Sequence, residues 1–148
     1  MRTISSLGQL ESKRVLLRCD LNVPIENGVI SDDGRIRASL PTIKYLIDQG
    51  AKVIICSHLG RPDGDRVEKY SLRPVAKRLS ELLGQPVTFS EDCVGNEAKD
   101  QVSTLENREV LLLENLRFHS AETSDSEDER HEFATELAEL ADVYVGDG

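Results

Sequence analysis

Long apolar runs are missing from these 148 residues. None approaches the roughly 20 residues that a membrane-spanning helix needs, so nothing here is expected to span a bilayer. The first residues, "MRTISSLGQLESKRVLL", lack an apolar core followed by a small-residue cleavage site, which argues against a secretory signal and for the cytoplasm. Cysteine is scarce: Cys19, Cys56 and Cys93 are odd in number and far apart, and two lie in or beside apolar runs. They read as reduced, packed thiols rather than a disulfide framework, which again favours the cytoplasm. Positive charge is the minority, 18 Lys and Arg against 27 Asp and Glu, and the net charge of −9 opposes attraction to nucleic acid or an anionic lipid surface. Screening over about 8 Å still lets a local cationic pocket act on a small anion.

Several motifs are also absent. There is no G-x-x-x-x-G-K-[ST] loop, no G-x-G-x-x-G turn and no G-x-S-x-G elbow, and the histidines and cysteines show no paired metal-ligand spacing. No nucleotide cradle, cofactor site or metal site is therefore expected within this chain. No internal repeat, low-complexity tract or linker divides it, and 39% hydrophobic with 30% charged residues suits one globular domain with a sizeable core.

What is present is an alternation of β-rich runs and helical periods. "RVLLRCD" (14–20) reads as a first strand, and Asn27-Gly28 suits a tight hairpin or loop turn. In "GRIRASLPTIKYLIDQG", Ile36, Leu40, Ile43 and Ile47 fall on one helical face; Pro41 is expected to start or kink the main helix, and Gly50 to cap it. "KVIIC" (52–56) is a second strand. Ser71 is placed to cap a helix carrying Leu72, Val75, Ala76, Leu79, Leu82 and Leu83, with Pro74 in its first turn and Gly84 as its stop. Strands over 86–89, 109–115 and 143–145 are interleaved with a weaker helix from Asn96 to Leu105 and a final helix lined by Phe133, Leu137 and Leu140. Strands without consistent alternation, separated by helices, predict an α/β fold: a three-layer, Rossmann-like domain with a mostly parallel sheet flanked by helices.

In such sheets ligands bind outside the carboxyl ends of the strands. Asp20 and Asn22 follow the first strand, His58 and Arg61 the second, and Arg117 and His119 the fourth; Arg35 precedes the first long helix, whose dipole also favours an anion. In "SHLGRP", Gly60 lets the backbone turn, Pro62 restricts its exit, and His58 and Arg61 can face a ligand. Guanidinium groups suit phosphate because the planar fork donates paired hydrogen bonds, each charge-assisted bond being worth about 1.5–3 kcal/mol. Against this stands a plainer reading. A lone arginine after a strand is more often a surface ion-pair partner, Asp20 and Asn22 are competent turn-formers, and His119 and His131 read as solvent-facing.

The segments "RCDLNVP", "GRIRASLPTIKYL", "SHLGRPDG", "KYSLRPVAKRL", "LLLENLRFHSAE" and "FATELAELADVYVGDG" resemble, in order and spacing, the N-terminal domain of the phosphoglycerate kinase family. That resemblance implies reversible phosphoryl transfer between ATP and 3-phosphoglycerate, giving 1,3-bisphosphoglycerate in glycolysis. It makes residues 1–148 an incomplete N-terminal substrate domain, with Mg-ATP or Mg-ADP bound by a C-terminal domain lying beyond Gly148. It implies that Asp20, Asn22, Arg35, His58, Arg61 and Arg117 bind substrate. His58, Arg61 and Arg117 would grip the non-transferred phosphate, and Asp20 and Asn22 would orient the glycerate. Arg35, the catalytic candidate, would meet charge on the group being transferred. The full-length enzyme is expected to be monomeric and cytoplasmic, and the 148 residues alone inactive. The ending Gly146-Asp147-Gly148 departs from the family's commoner Asn-Asp-Ala. A non-catalytic anion-binding or interaction module, and a folding fragment without function, are the alternative readings.

Overall fold

The computed structural model describes residues 10–26, 29–59, 70–118 and 126–147, with the backbone alone for Arg117 and Asp147. Five strands, β1 (Arg14–Cys19), β4 (Lys52–Cys56), β5 (Val87–Ser90), β6 (Val110–Leu113) and β7 (Val143–Asp147), form one sheet in the order β5-β6-β4-β1-β7. All four pairings are parallel, the register setting Val15, Leu16 and Leu17 beside Val53, Ile54 and Ile55. β2 (Ile25–Glu26) and β3 (Val29–Ile30) make a small antiparallel hairpin, pairing Ile25 with Ile30 and Glu26 with Val29. The Asn27-Gly28 pair expected at its turn lies outside the described residues.

Continuous apolar strands are needed because both faces of the sheet are covered. Side chains alternate between faces with period two. Val15, Leu17, Val53, Ile55, Val110 and Leu112 pack against α1 (Gly34–Asp48) and α2 (Arg73–Leu83). Leu16, Ile54, Leu111 and Leu113 pack on the other side against α3 (Gly95–Ser103) and α4 (Glu127–Ala138). Each fully buried Leu, Ile or Val contributes about 1.5–3 kcal/mol. All three cysteines are buried and free of disulfides, as their placement predicts.

The first helix corrects two expectations. It begins at Gly34, seven residues ahead of Pro41, which lies inside it. Pro41 therefore does not start the helix, and the missing N–H is tolerated within it. Its buried stripe is Ile36, Ser39, Ile43 and Leu46, while Leu40 and Ile47 flank that stripe half-buried. Gly50, at φ +79°, takes the left-handed conformation that closes the helix. α2 starts after Leu72, one residue later than a Ser71 cap implies, yet the Ser71 hydroxyl still accepts from the Arg73 N–H at 3.2 Å. Gly84, at φ +71°, ends it. Ser126 caps α4 by accepting from Glu129 N, ahead of a first turn carrying Glu127, Asp128 and Glu129. Among the described residues no helix is long and apolar enough to cross a membrane.

Candidate functional site

Because β1, β4 and β6 run parallel, their exits at Cys19, Cys56 and Leu113 open on one rim of the sheet. The Ser57 hydroxyl, fully buried, accepts from the Leu21 N–H at 3.0 Å and lies 3.3 Å from the His58 carbonyl, to which it donates. The Ser57 carbonyl accepts from Leu116 N at 3.0 Å. One residue thus joins the backbone leaving β1 to that leaving β4 and that leaving β6.

On this support three of the expected residues meet. Asp20 Oδ1 accepts from Asn22 N at 3.2 Å, so Asp20 does form the local turn, and it also accepts from Arg35 Nη1 at 3.3 Å. The same Nη1 donates to the Asn22 carbonyl at 2.9 Å. Arg35 sits in the first turn of α1, a 15-residue helix whose amino end favours an anion. The Arg35 and Asp20 side chains are 55% and 46% exposed, so their ion pair contributes only about 0–1 kcal/mol. A weak exposed pair keeps the guanidinium on the rim while leaving it able to turn toward a stronger anion.

His58, half-buried, follows Ser57 directly and belongs to the same rim. Arg61 and His119 lie outside the described residues, as do Gly60 and Pro62. Arg117 has its backbone in a 3₁₀ turn, Leu116–Phe118, immediately past the exit of β6. His131 is exposed on α4.

Sequence reasoning passed over the residues beneath the rim. Glu114 and Asn115, directly after β6, are buried, as is Ser71. Glu114 accepts from the Ser71 hydroxyl at 2.7 Å, from Leu72 N at 2.9 Å and from Asn115 N at 2.8 Å. The Asn115 carboxamide accepts from Leu59 N at 3.2 Å and donates to the carbonyls of Leu59 at 2.7 Å and Tyr70 at 3.0 Å. The signal available in the sequence was a polar pair, Glu-Asn, at the end of an uninterrupted apolar strand.

A cleft of about 930 Å³ elsewhere is lined by the hairpin, the start of α1 and α2. Part of its charge is neutralised within the cleft. Asp33 accepts from Arg37 Nε at 2.9 Å and Arg78 Nε at 3.0 Å, and these guanidinium groups hold its carboxyl below the usual carboxylate range. Arg73, on the same wall, is paired with Glu91 and lies over the Phe89 ring.

A parallel α/β sheet whose strand exits share one rim belongs to the class of domains that bind small ligands outside the carboxyl ends of their strands. A family model described as phosphoglycerate kinase matches residues 4–148. The chain is 61% identical over its whole length to phosphoglycerate kinase of Leifsonia xyli and 56% identical over 138 residues to that of Dictyoglomus turgidum, covering 37% and 34% of those proteins. The crystal structure of phosphoglycerate kinase from Pyrococcus horikoshii superposes with a TM-score of 0.89 at 39% identity, over all of this chain and 36% of that one. The enzyme from Coxiella burnetii gives 0.80 at 39% identity over 97% of this chain and 34% of that one. The chain belongs to the phosphoglycerate kinase family. It spans a little over one-third of the length of the curated relatives it matches.

Proposed function

We propose that these residues are the N-terminal substrate domain of a phosphoglycerate kinase and hold 3-phosphoglycerate, or 1,3-bisphosphoglycerate in the reverse direction, at the rim formed by the exits of β1, β4 and β6. The observation that carries the reading is the convergence of Arg35 on Asp20 and Asn22, beside the Ser57 hydroxyl that ties Leu21 to His58. Mg-ATP or Mg-ADP is the second substrate, held by a C-terminal domain outside this chain. The enzyme acts in the cytoplasm as a monomer, and the 148 residues do not turn over alone.

Phosphoryl transfer needs alignment of donor and acceptor and stabilisation of charge spread over the moving group, and no covalent enzyme intermediate is required. In this reading His58, Arg61 and Arg117 hold the phosphate that does not move, which fixes one end of the acid. Asp20 and Asn22 accept from and orient its hydroxyl and carboxyl end. Arg35 gives up a weak pairing with Asp20 to meet the transferring phosphoryl group, exchanging an exposed ion pair for charge-assisted bonds that strengthen as charge develops.

The test joins residues 1–148 to the remaining two-thirds of the Leifsonia xyli protein and assays transfer from ATP to 3-phosphoglycerate. Activity is expected, with Arg35→Ala lowering kcat by on the order of 10³ and Arg61→Ala mainly raising KM for the acid. Absence of phosphoryl transfer to 3-phosphoglycerate in the joined protein would refute the function; unchanged kcat in Arg35→Ala would refute the role given to that residue.

A further inference from the structure

Beneath the rim, Asn115 occupies an unusual position. It is fully buried, it follows the last strand residue by two, and its carboxamide reaches across to two other parts of the chain. One bond goes to Tyr70, which leads into Ser71 and α2, and two go to Leu59, the residue after His58. The pairing with Leu59 uses both its N–H and its carbonyl, as a neighbouring strand would, so Leu59 is held in orientation as well as in place. Leu59 is itself buried, and on its other side His58 is fixed by the Ser57 hydroxyl at its carbonyl. The imidazole of His58 therefore projects from a backbone clamped at residues 57, 58 and 59.

We propose that Asn115 is a positioning residue for acid binding: it sets His58 against the Asp20, Asn22 and Arg35 group by stapling the exit of β4 to that of β6. This deepens the substrate-domain reading and rests on it. The chemistry selects an amide at this position. Two carbonyls face Nδ2 and one N–H faces Oδ1, so a carboxylate would satisfy the N–H but set its second oxygen against the carbonyls of Leu59 and Tyr70. A buried polar group is costly when its partner is lost, and here the loss falls on the backbone that carries a ligand-binding side chain. A small displacement of such a group lowers binding without touching the reacting atoms.

Asn115→Asp, nearly the same in volume, is compared in the joined protein with Ser71→Ala. Ser71 lies in the same buried layer, but its hydroxyl bonds Glu114 and the start of α2, whereas Asn115 bonds Leu59. Both substitutions are expected to lower the melting temperature. Only Asn115→Asp is expected to raise KM for 3-phosphoglycerate, by about tenfold, with kcat and the KM for ATP within about twofold of the parent. If Asn115→Asp does not fold, Asn115→Ser, which keeps one hydroxyl donor, is read in the same way. A KM for the acid within about twofold of the parent, or an equal rise in Ser71→Ala, would show that Asn115 serves stability alone. A joined protein without any transfer to 3-phosphoglycerate would instead defeat the substrate-domain reading, so the two failures are distinct.

Discussion

At the carboxyl ends of the strands the polar side chains Ser57, Ser71, Glu114 and Asn115 are buried, and each is bonded to backbone groups of that same edge. At the amino ends of the same sheet the side-chain ties are exposed. Arg14 pairs with Asp142 at 3.1 Å, the two being 38% and 41% exposed, and Asn107 Nδ2 donates to the Ser12 hydroxyl at the surface. The amino end is otherwise knit by backbone bonds, Asp142 N to Arg14 O and Arg108 N to Ala51 O, both at 2.8 Å. Closing turns is enough at that edge, and exposed polar groups do so without desolvation. Burying polar groups is costly unless every one is paired, and simpler turns would close the other edge as well. Their concentration at the carboxyl ends is what a rim needs when it must hold side chains from separate strands at fixed relative positions.

The sharpest way to break this contrast is Glu114→Ala. It leaves the Ser71 hydroxyl and the N–H groups of Leu72 and Asn115 without their acceptor. Each unsatisfied buried group costs about 1–3 kcal/mol, so a loss of about 3 kcal/mol or more is expected in urea unfolding. A loss under about 1 kcal/mol would put Glu114 on the level of a surface ion pair and remove the distinction between the two edges.

Ser57→Ala is a milder probe of the same edge. It removes the acceptor of the Leu21 N–H and the donor to the His58 carbonyl while leaving the Ser57 backbone bond to Leu116 intact. A cost of about 1–2 kcal/mol is expected. Hydrogen exchange should localise it, with the Leu21 amide losing protection relative to amides in the middle of β1 and β4. Equal acceleration throughout β1 would mean that Ser57 supports the core in general and not the junction of two exits.

How far the sequence shows this arrangement depends on the kind of signal. "KVIIC" is a strand by its unbroken apolar run, and its boundaries coincide with β4, because no competing period is present. Asp20 and Asn22 are legible because strand ends in parallel sheets face one edge, and Arg35 because it opens the first long helix; the three meet there. Pro41 is a poor marker of the helix start because the helical period runs on both sides of it, and one missing N–H does not end α1. Leu46 and Ser39 displaced Leu40 and Ile47 from the centre of the buried face because α1 lies over the sheet with a slightly rotated stripe, which periodicity alone leaves open by one position. Ser57, Glu114 and Asn115 were missed for a deeper reason. A polar residue at a strand end does not show its burial in one dimension, and only contacts between residues 36 to 56 apart reveal that each is buried with its partners.

The smallest expected effect lies at the opposite edge. Asp142 accepts from the Arg14 guanidinium and from Arg14 N, and these bonds hold its carboxyl below the usual carboxylate range. A folded-state value below the unfolded one means that the stabilisation is present above about pH 3.9, the ordinary aspartate value, and is lost as pH falls through the depressed folded value. Asp142→Asn keeps an oxygen for Arg14 N but has no charge to lose. The parent should therefore exceed the variant by less than about 1 kcal/mol at neutral pH, and the two should converge on acidification. Asp33, held low by Arg37 and Arg78, titrates in the same direction in both proteins, so the difference between parent and variant isolates Asp142 where either curve alone would not. A difference that persists unchanged in acid would show that the charge of Asp142 is not its source, and a difference as large as that of Glu114→Ala would abolish the contrast between the two edges.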